Sequence, residues 1–378
     1  MENLTVAAQR KPTERPDYDL VVIGGGPAGT SASITAARTG ARVLLVERGR
    51  LPRQRVCGEF VSAESLDLLA GLLGRTAVSG GILRIPEARL FVDGHVISTP
   101  LAPAAASIAR FDLDADLWQA AEGCGVDARL QTSVEGVSGG GPFRLATSAG
   151  EFVSQAVVCA AGRWSKLSQR SNHTNGRAQK RWLGVKAHFA EQSPHASVDL
   201  YFFEGGYCGV QPVRMAGGQD GRVNACAMVR ADVARTLPEV FARSPQLAER
   251  SRGWEPLVEP VTTSPLIFQE PQLTQDGMLL AGDAAGFVDP FAGDGISLAL
   301  RGGALAAECL IPFFRGEISL PEATGRYAHT YKSRLAPVFR NSSRLRRLLK
   351  LPRPLRRSIV GFLERVPRAT QYLVSMTR

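Results

Sequence analysis

The sequence lacks the patterns that mark exported, metal-binding and membrane-spanning proteins. Its six cysteines are scattered, with no CxxC pair and no Cys/His cluster at metal-ligand spacing, so we predict reduced thiols and no metal site. Residues 1–16 are polar where a secretory signal would be apolar, and no uninterrupted apolar run approaches the ~20 residues that cross a bilayer. Internal repeats are also absent. We therefore expect a cytoplasmic globular protein.

Positive charge is concentrated at the end of the chain. The net charge is +10, and residues 332–378 carry 13 Lys/Arg against the single Glu364, a local +12 that leaves about −2 for the rest. From 340 to 372 basic and apolar residues interleave, and prolines at 352, 354 and 367 divide this stretch into short helices. This stretch is either a helical cap packed on the rest of the protein or a surface that binds an anionic membrane or an acidic carrier protein. The expected location is accordingly cytoplasmic, or peripheral at a membrane. Nucleic-acid binding is disfavoured because few aromatic residues are available to stack on bases.

A strand, a glycine-rich turn and a helix open the chain. Residues 19–23 and 41–47 are predicted as buried strands, and 28–39 as a helix of small residues. The run from Gly24 to Gly29 fits GxGxxG directly after the first strand, where glycines permit a tight turn and close approach of backbone to a diphosphate. A carboxylate ending the second strand can accept hydrogen bonds from an adenosine ribose. The predicted dinucleotide-binding residues are Gly24, Gly26, Pro27, Ala28, Gly29, Glu47 and Arg48.

A second glycine-rich segment lies far along the chain. Residues 282–286 read GDAAG after an apolar strand, and Gly293-Asp294-Gly295 open a helix. A carboxylate there can bind a ribityl hydroxyl, and a helix N-terminus can stabilise negative charge at a flavin ring. Together the motifs resemble the flavoprotein superfamily of p-hydroxybenzoate hydroxylase-like monooxygenases, flavin-dependent halogenases and geranylgeranyl reductases. The resemblance spans about residues 17–330.

The resemblance implies that the cofactor is FAD. It places Asp283 on the ribityl chain, and Gly293, Gly295 and Ile296 at the flavin ring. Arg110 in RxxLDxxL and Gly162 are expected beside the cofactor, although Arg110 could instead cap a helix on the surface. Ala161 replaces the aspartate of the hydroxylase DGxxS segment, which puts hydroxylase-type use of NADPH in doubt. NADPH or another external electron donor is left open.

Two further segments resemble the geranylgeranyl reductase branch. Residues 52–59, PRQRVCGE, are similar to its KxCGE loop, and residues 206–212, GYCGVQP, match part of its GYxWxFP strand. Cys57 and Tyr207 are therefore candidate proton donors in hydride transfer, with core packing as the alternative role for each. Gly209 and Gln211 replace aromatic positions, which suggests a different or more open cavity. The expected ligand is a small hydrophobic substrate.

Three functions follow from these patterns. The first is reduction or dehydrogenation of C–C bonds in an isoprenoid-, lipid- or polyketide-like substrate by hydride transfer at flavin N5. The alternatives are hydroxylation by a flavin monooxygenase and a non-enzymatic flavin-binding module. Halogenation is disfavoured because the sequence has no WxWxIP and no lysine near residue 80 at the matching place.

The predicted fold class is α/β. We expect a Rossmann-like FAD-binding domain formed by residues 17–75, 102–165 and 270–330. An antiparallel-sheet substrate domain, formed by residues 76–101 and 166–269, interleaves with it. Residues 331–378 form a basic C-terminal helical region.

Overall fold

The protein is described from a computed structural model. The description covers residues 16–75, 78–163, 167, 182–218, 220–263, 266, 268, 270–287, 293–338 and 351–366. Parts of the basic stretch, at 339–350 and 367–378, lie outside the described residues, and so do most of the residues between 164 and 181.

The described strands form two sheets, and helices flank them. The strands are β1 (Tyr18–Ile23), β2 (Val43–Val46), β3 (Phe60–Val61), β4 (Leu83–Val92), β5 (His95–Ser107), β6 (Asp127–Arg129), β7 (Val134–Gly139), β8 (Phe143–Thr147), β9 (Gly150–Cys159), β10 (Trp182–Ala190), β11 (Ser197–Phe203), β12 (Gly206–Pro212), β13 (Arg222–Arg230), β14 (Glu255–Pro256), β15 (Val261–Thr263), β16 (Thr274–Gln275) and β17 (Met278–Leu280). The helices are α1 (Pro27–Ala37), α2 (Leu66–Leu73), α3 (Arg110–Gly123), α4 (Leu237–Phe241), α5 (Pro245–Arg250), α6 (Gly295–Phe314), α7 (Leu320–Arg334) and α8 (Arg353–Arg365).

The first sheet has a parallel centre. Its order is β16-β17-β9-β1-β2-β6, and β17, β9, β1, β2 and β6 pair in parallel. The β2 residues VLLV are all buried, as expected for a parallel strand covered on both faces. α1 and α6 pack so closely that a Cβ added at Gly303 would lie 2.0 Å from the carbonyl oxygen of Ala28. This sheet confirms the Rossmann-like fold predicted from the strand and helix alternation.

The second sheet is mostly antiparallel, as predicted, with one exception. Its order is β14-β10-β13-β12-β11-β4-β5-β3, and β15 also pairs with β10. β11 pairs with β4 in parallel, because the chain leaves the sheet after β5, builds much of the first sheet and then returns. α4, α5 and Trp254 cover one face of this sheet and pack on Phe189. The short helices α4 and α5 were not predicted from the sequence.

The chain crosses between the two sheets within its elements. β5 is a continuous strand over 95–107, so it passes through the boundary predicted at 101/102. β3 pairs with β5 and places Phe60–Val61 in the second sheet, although they fall in the predicted FAD-binding segment 17–75. The reason is that β5 leads directly into α3, so no linker separates the two units.

α6 begins where the Gly293-Asp294-Gly295 motif predicts a helix, and it continues to Phe314. Among the described residues it is long and apolar enough to span a membrane, with a mean hydropathy of 1.4, yet 61% of that window is buried in the protein. Its buried residues pack against α1 and α7. Such burial is typical of a core helix.

Candidate functional site

A cavity of about 1120 Å³ opens where the two sheets meet. The carboxyl ends of β1 and β2 contribute Ile23 and Val46, and the second sheet contributes residues of β4, β11 and β12. This is where open α/β sheets bind their ligands. Every predicted cofactor-binding residue except Gly29 lines the cavity: Gly24, Gly26, Pro27, Ala28, Glu47, Arg48, Cys57, Arg110, Gly162, Asp283, Gly293, Gly295 and Ile296.

The first glycine turn has the geometry that a diphosphate requires. Gly24 has φ of +109°, and a Cβ there would lie 2.4 Å from the carbonyl oxygen of Ala160. A Cβ at Gly29 would lie 1.8 Å from the carbonyl oxygen of Gly24, so this glycine allows helix and strand to pack. At Gly26 a Cβ would meet nothing within 4 Å, which leaves its backbone open to the cavity. The start of α1 then presents N–H groups there.

Glu47 at the end of β2 is held by backbone donors. Its Oε2 accepts the N–H of Gly25 at 2.9 Å, and its Oε1 accepts the N–H of Gly49 at 2.9 Å and Nη2 of Arg53 at 2.7 Å. Burial raises the pKa of this carboxyl, but the two N–H groups and the arginine outweigh burial and hold the pKa below its usual value. Glu47 is therefore an ionised acceptor at the place expected for a ribose.

The two distant glycine segments meet. Gly282 has φ of +61°, and a Cβ there would lie 2.9 Å from that of Ala28 in α1. Asp283 faces the cavity, with Oδ2 at 3.3 Å from Nη2 of Arg163. Gly293 has φ of +73° and lies against the Phe60 ring, where a Cβ would be 2.7 Å from Cδ1. The structure thus brings both predicted cofactor segments into one cavity.

Unpartnered guanidinium nitrogens test whether this cavity fits FAD. Arg53 Nε, Arg55 Nε and Arg163 Nη1 are buried and, among the residues that the structure describes, have no hydrogen-bond partner. Within the described chain Arg55 also forms no ion pair, and burial, followed by repulsion from Arg53 and Arg110, lowers its pKa. A diphosphate would supply the missing acceptors and charge. The residues therefore fit a dinucleotide cofactor with its diphosphate at this end of the cavity.

Arg110 and Cys57 form a contact in the cavity wall. The Arg110 side chain is 14% exposed, its Nε and Nη2 each 2.8 Å from an Asp114 oxygen, and it hydrogen-bonds the Cys57 thiol. This burial disfavours the surface-cap alternative. Burial raises the pKa of Cys57, and the positive charge of Arg110 opposes that effect only in part. The thiol is thus protonated at neutral pH.

Behind Cys57 lies a buried charge cluster that the sequence analysis did not identify. Glu59, Lys186 and His188 have fully buried side chains. Glu59 Oε1 lies 3.0 Å from Lys186 Nζ, and its Oε2 lies 2.8 Å from His188 Nε2. Burial raises the pKa of Glu59, but attraction to Lys186 and the His188 hydrogen bond prevail and lower the pKa to about 2. Lys186 and His188 stand two apart in the apolar strand WLGVKAHFA, a signal that could have revealed them.

The cluster also fixes the conformation of the loop at residues 52–59, called the reactive loop below because it carries Cys57. Glu59 has φ of +60°, a left-handed conformation that is unusual outside glycine. Its N–H donates to Cys57 Sγ at 3.3 Å, and its Oε1 accepts the N–H of Arg110 at 3.0 Å. The Asn224 amide donates to the carbonyl oxygen of Cys57 at 3.0 Å. The buried charges therefore position Cys57 and Arg110 relative to each other.

Much of the remaining wall of the cavity is apolar, although Gln211, Thr262 and Thr263 also line it. Tyr207 on β12 is 7% exposed, lines the cavity, and packs with Met228 and Leu266. Its ring centroid lies 5.7 Å from that of Phe202. Other apolar lining residues are Ala88, Leu90, Leu101, Val198, Leu200 and Phe287. This end of the cavity suits a hydrophobic ligand.

The fold and the fitted dinucleotide cavity define this chain as an FAD-dependent oxidoreductase. It belongs to the family described as the FAD binding domain, whose model matches residues 17–342. This match confirms the resemblance to the p-hydroxybenzoate hydroxylase-like flavoprotein superfamily and the assignment of FAD as the cofactor.

Similar proteins include reductases and halogenases. Digeranylgeranylglycerophospholipid reductase 2 of Methanopyrus kandleri is 25% identical over 86% of this chain and 84% of its own length. Flavin-dependent halogenase armH3 of Armillaria mellea is 26% identical over 81% and 69%. The structure of a geranylgeranyl bacteriochlorophyll reductase-like protein from Thermoplasma acidophilum has a TM-score of 0.73 at 20% identity, covering 92% and 91%. The reductase and halogenase relatives support an enzymatic function for this chain.

Proposed function

We propose that this oxidoreductase reduces, or in the reverse direction dehydrogenates, a C–C bond of an isoprenoid-, lipid- or polyketide-like substrate. The observation that carries the proposal is a single cavity with two chemically different ends. Glycine turns and arginines line one end, and apolar residues of the second sheet line the other. A protonated thiol, Cys57, lies in the wall of the same cavity.

FAD, when bound, supplies hydride from N5 of its reduced ring. Cys57 Sγ is suited to protonate the neighbouring carbon, because burial keeps its proton in place at neutral pH. Arg110 can then stabilise the thiolate that remains, since the two side chains are hydrogen-bonded. The Tyr207 hydroxyl is the second candidate donor. The apolar wall excludes water and orients the substrate.

The Methanopyrus kandleri relative supports this direction, because it is named as a digeranylgeranylglycerophospholipid reductase. The halogenase relative supports the alternative, a flavin monooxygenase acting on an aromatic or polyketide substrate. We further propose that an external donor, such as NADPH, reduces the flavin, and that the enzyme is cytoplasmic or peripheral at a membrane.

The test is anaerobic reoxidation of the reduced enzyme by a geranylgeranyl-bearing alkene. The flavin absorbance should return as the alkene is reduced. Cys57→Ser should slow this step by roughly 10²–10⁴-fold with little change in FAD binding. Cys124→Ala is the matched control, because Cys124 follows α3 away from the cavity, and its rate should equal that of the parent. Hydroxylation of an aromatic substrate in oxygen, with no alkene reduction, would overturn the proposal in favour of the monooxygenase.

A further inference from the structure

The basic helix α8 is docked on the second sheet. Val360 is 5% exposed and packs with Val92 and Ile97. Arg356 forms a two-pronged ion pair with Asp93, with Nε 2.6 Å from Oδ2 and Nη2 2.8 Å from Oδ1. These contacts fix which side of the helix faces away from the protein.

That outward side carries large apolar residues. Leu355 is 51% exposed and Phe362 is 56% exposed, the two highest values among exposed large hydrophobic residues of the described chain. They are seven positions apart, so they lie on one side of the helix two turns apart. Ile359, between them in sequence, is half-buried. α8 therefore has two apolar stripes, one packed on the sheet and one facing outward.

Basic residues share the exposed surface of α8 with this stripe. Arg365 lies beside Phe362, whereas Arg357 lies at the opposite edge of the exposed surface, on the same side as Glu364. Arg357 and Arg365 are exposed, and within the described part of the chain neither has a carboxylate partner. The surrounding sequence, 332–378, contains 13 Lys/Arg and one acidic residue. An exposed apolar stripe and exposed arginines on the same helix match an anionic lipid surface, where the helix lies in the headgroup plane.

We propose that the outward face of α8, formed by Leu355, Arg357, Phe362 and Arg365, binds the surface of an anionic phospholipid bilayer. The apolar side chains enter the boundary between headgroups and acyl chains, and the arginines contact lipid phosphates. An acidic carrier protein could contact the same arginines, but it would not require two large apolar side chains exposed on one face.

α8 lies close to the apolar end of the cavity. Leu90 lines the cavity and also packs in the cluster around Val360. A bilayer bound to the outward face of α8 would thus be separated from the apolar end of the cavity by the thickness of the helix, about 10 Å, and one layer of side chains. This last step depends on the proposed hydrophobic substrate, whereas membrane binding itself does not.

The experiment is sedimentation of the full-length FAD-loaded protein with vesicles. We expect binding to phosphatidylcholine vesicles containing phosphatidylglycerol and little binding to pure phosphatidylcholine, with a loss of binding at high salt. Leu355→Ser/Phe362→Ser should weaken binding roughly tenfold or more, and Arg357→Gln/Arg365→Gln should also weaken it by about tenfold. Matched controls are Leu257→Ser and Arg84→Gln, which alter exposed residues outside α8 and should bind like the parent.

A second measurement does not depend on correct folding of the double serine and double glutamine variants. In Phe362→Trp, the tryptophan emission should shift to shorter wavelength on adding anionic vesicles, and brominated lipids should quench it. Flavin content and turnover of a water-soluble alkene should stay unchanged in all α8 variants, which separates this test from the proposed function. Absence of vesicle binding, equal binding to neutral vesicles, or binding only to an acidic carrier protein would overturn the proposal.

Discussion

The two ends of the cavity satisfy their buried carboxylates in different ways. Glu47, at the dinucleotide end, accepts hydrogen bonds from the backbone of Gly25 and Gly49 close by in sequence. Glu59, the last residue of the reactive loop, is paired with Lys186 and His188, which come more than 120 positions later. One end is therefore built by local backbone geometry and the other by side chains brought together through the fold.

The same contrast holds for the glycines. At the dinucleotide end, an added Cβ on Gly24 or Gly29 would collide with backbone atoms at 2.4 Å and 1.8 Å. At the apolar end, a Cβ on Gly209 would be 3.4 Å from Leu200 Cδ2, near ordinary contact. Backbone atoms cannot yield, whereas a leucine side chain can rotate. Gly24 and Gly29 at the dinucleotide end therefore do not tolerate a side chain, whereas Gly209 at the apolar end can be replaced by a small residue.

The largest effect should come from breaking the buried cluster. Glu59→Gln removes the only carboxylate that contacts both Lys186 and His188 within the described chain, and we expect a loss of about 3–5 kcal/mol in the free energy of unfolding. Urea denaturation measures it. The exposed Glu64→Gln is the control and should change stability by less than about 0.5 kcal/mol.

The same variant tests a pH dependence. The pKa of Glu59 is lowered from 4.5 to about 2 in the folded protein, so its contribution to stability is complete above pH 4.5 and is lost as the pH falls towards 2. Parent stability should decline across that window, and this part of the decline should be missing from Glu59→Gln. An identical acid profile for both proteins would show that the cluster does not hold an ionised Glu59.

Next in size is a pair of substitutions in the glycine turn. Gly29→Ala should destabilise the protein by about 1–3 kcal/mol even without FAD, because its Cβ would be forced onto the Gly24 carbonyl. Gly26→Ala should keep the parent melting temperature without FAD, since its Cβ meets nothing, but should weaken FAD binding roughly tenfold or more. Thermal melting and FAD titration separate the two. Equal loss of stability in both variants would contradict the geometry.

This contrast explains what the sequence could predict. The GxGxxG turn, Glu47 and the GDAAG segment belong to short sequence motifs, so their place at one cavity was predictable, although Gly24 also packs on Ala160 and Gly282 on Ala28. The positions of Lys186 and His188 depend on β10 packing beneath a loop that precedes it by more than a hundred residues. The sequence predicted an antiparallel sheet within residues 166–269, but propensity alone could not say which side chains the strand WLGVKAHFA would meet. Likewise, the parallel pairing of β4 with β11 follows from the path of the whole chain.

The smallest effect should be at Gly209, where a related reductase strand pattern has aromatic residues. Gly209→Ala should change the free energy of unfolding by less than about 0.5 kcal/mol, because Leu200 can accommodate the added methyl group. Yet Gly209 lines the cavity, so the added volume should raise KM for long or branched substrates more than for short ones. Steady-state kinetics over a chain-length series measures this, with kcat expected to stay near that of the parent. If Gly209→Ala unfolded the protein as readily as Gly29→Ala, the two ends of the cavity would be equally rigid and the proposed division between them would fail.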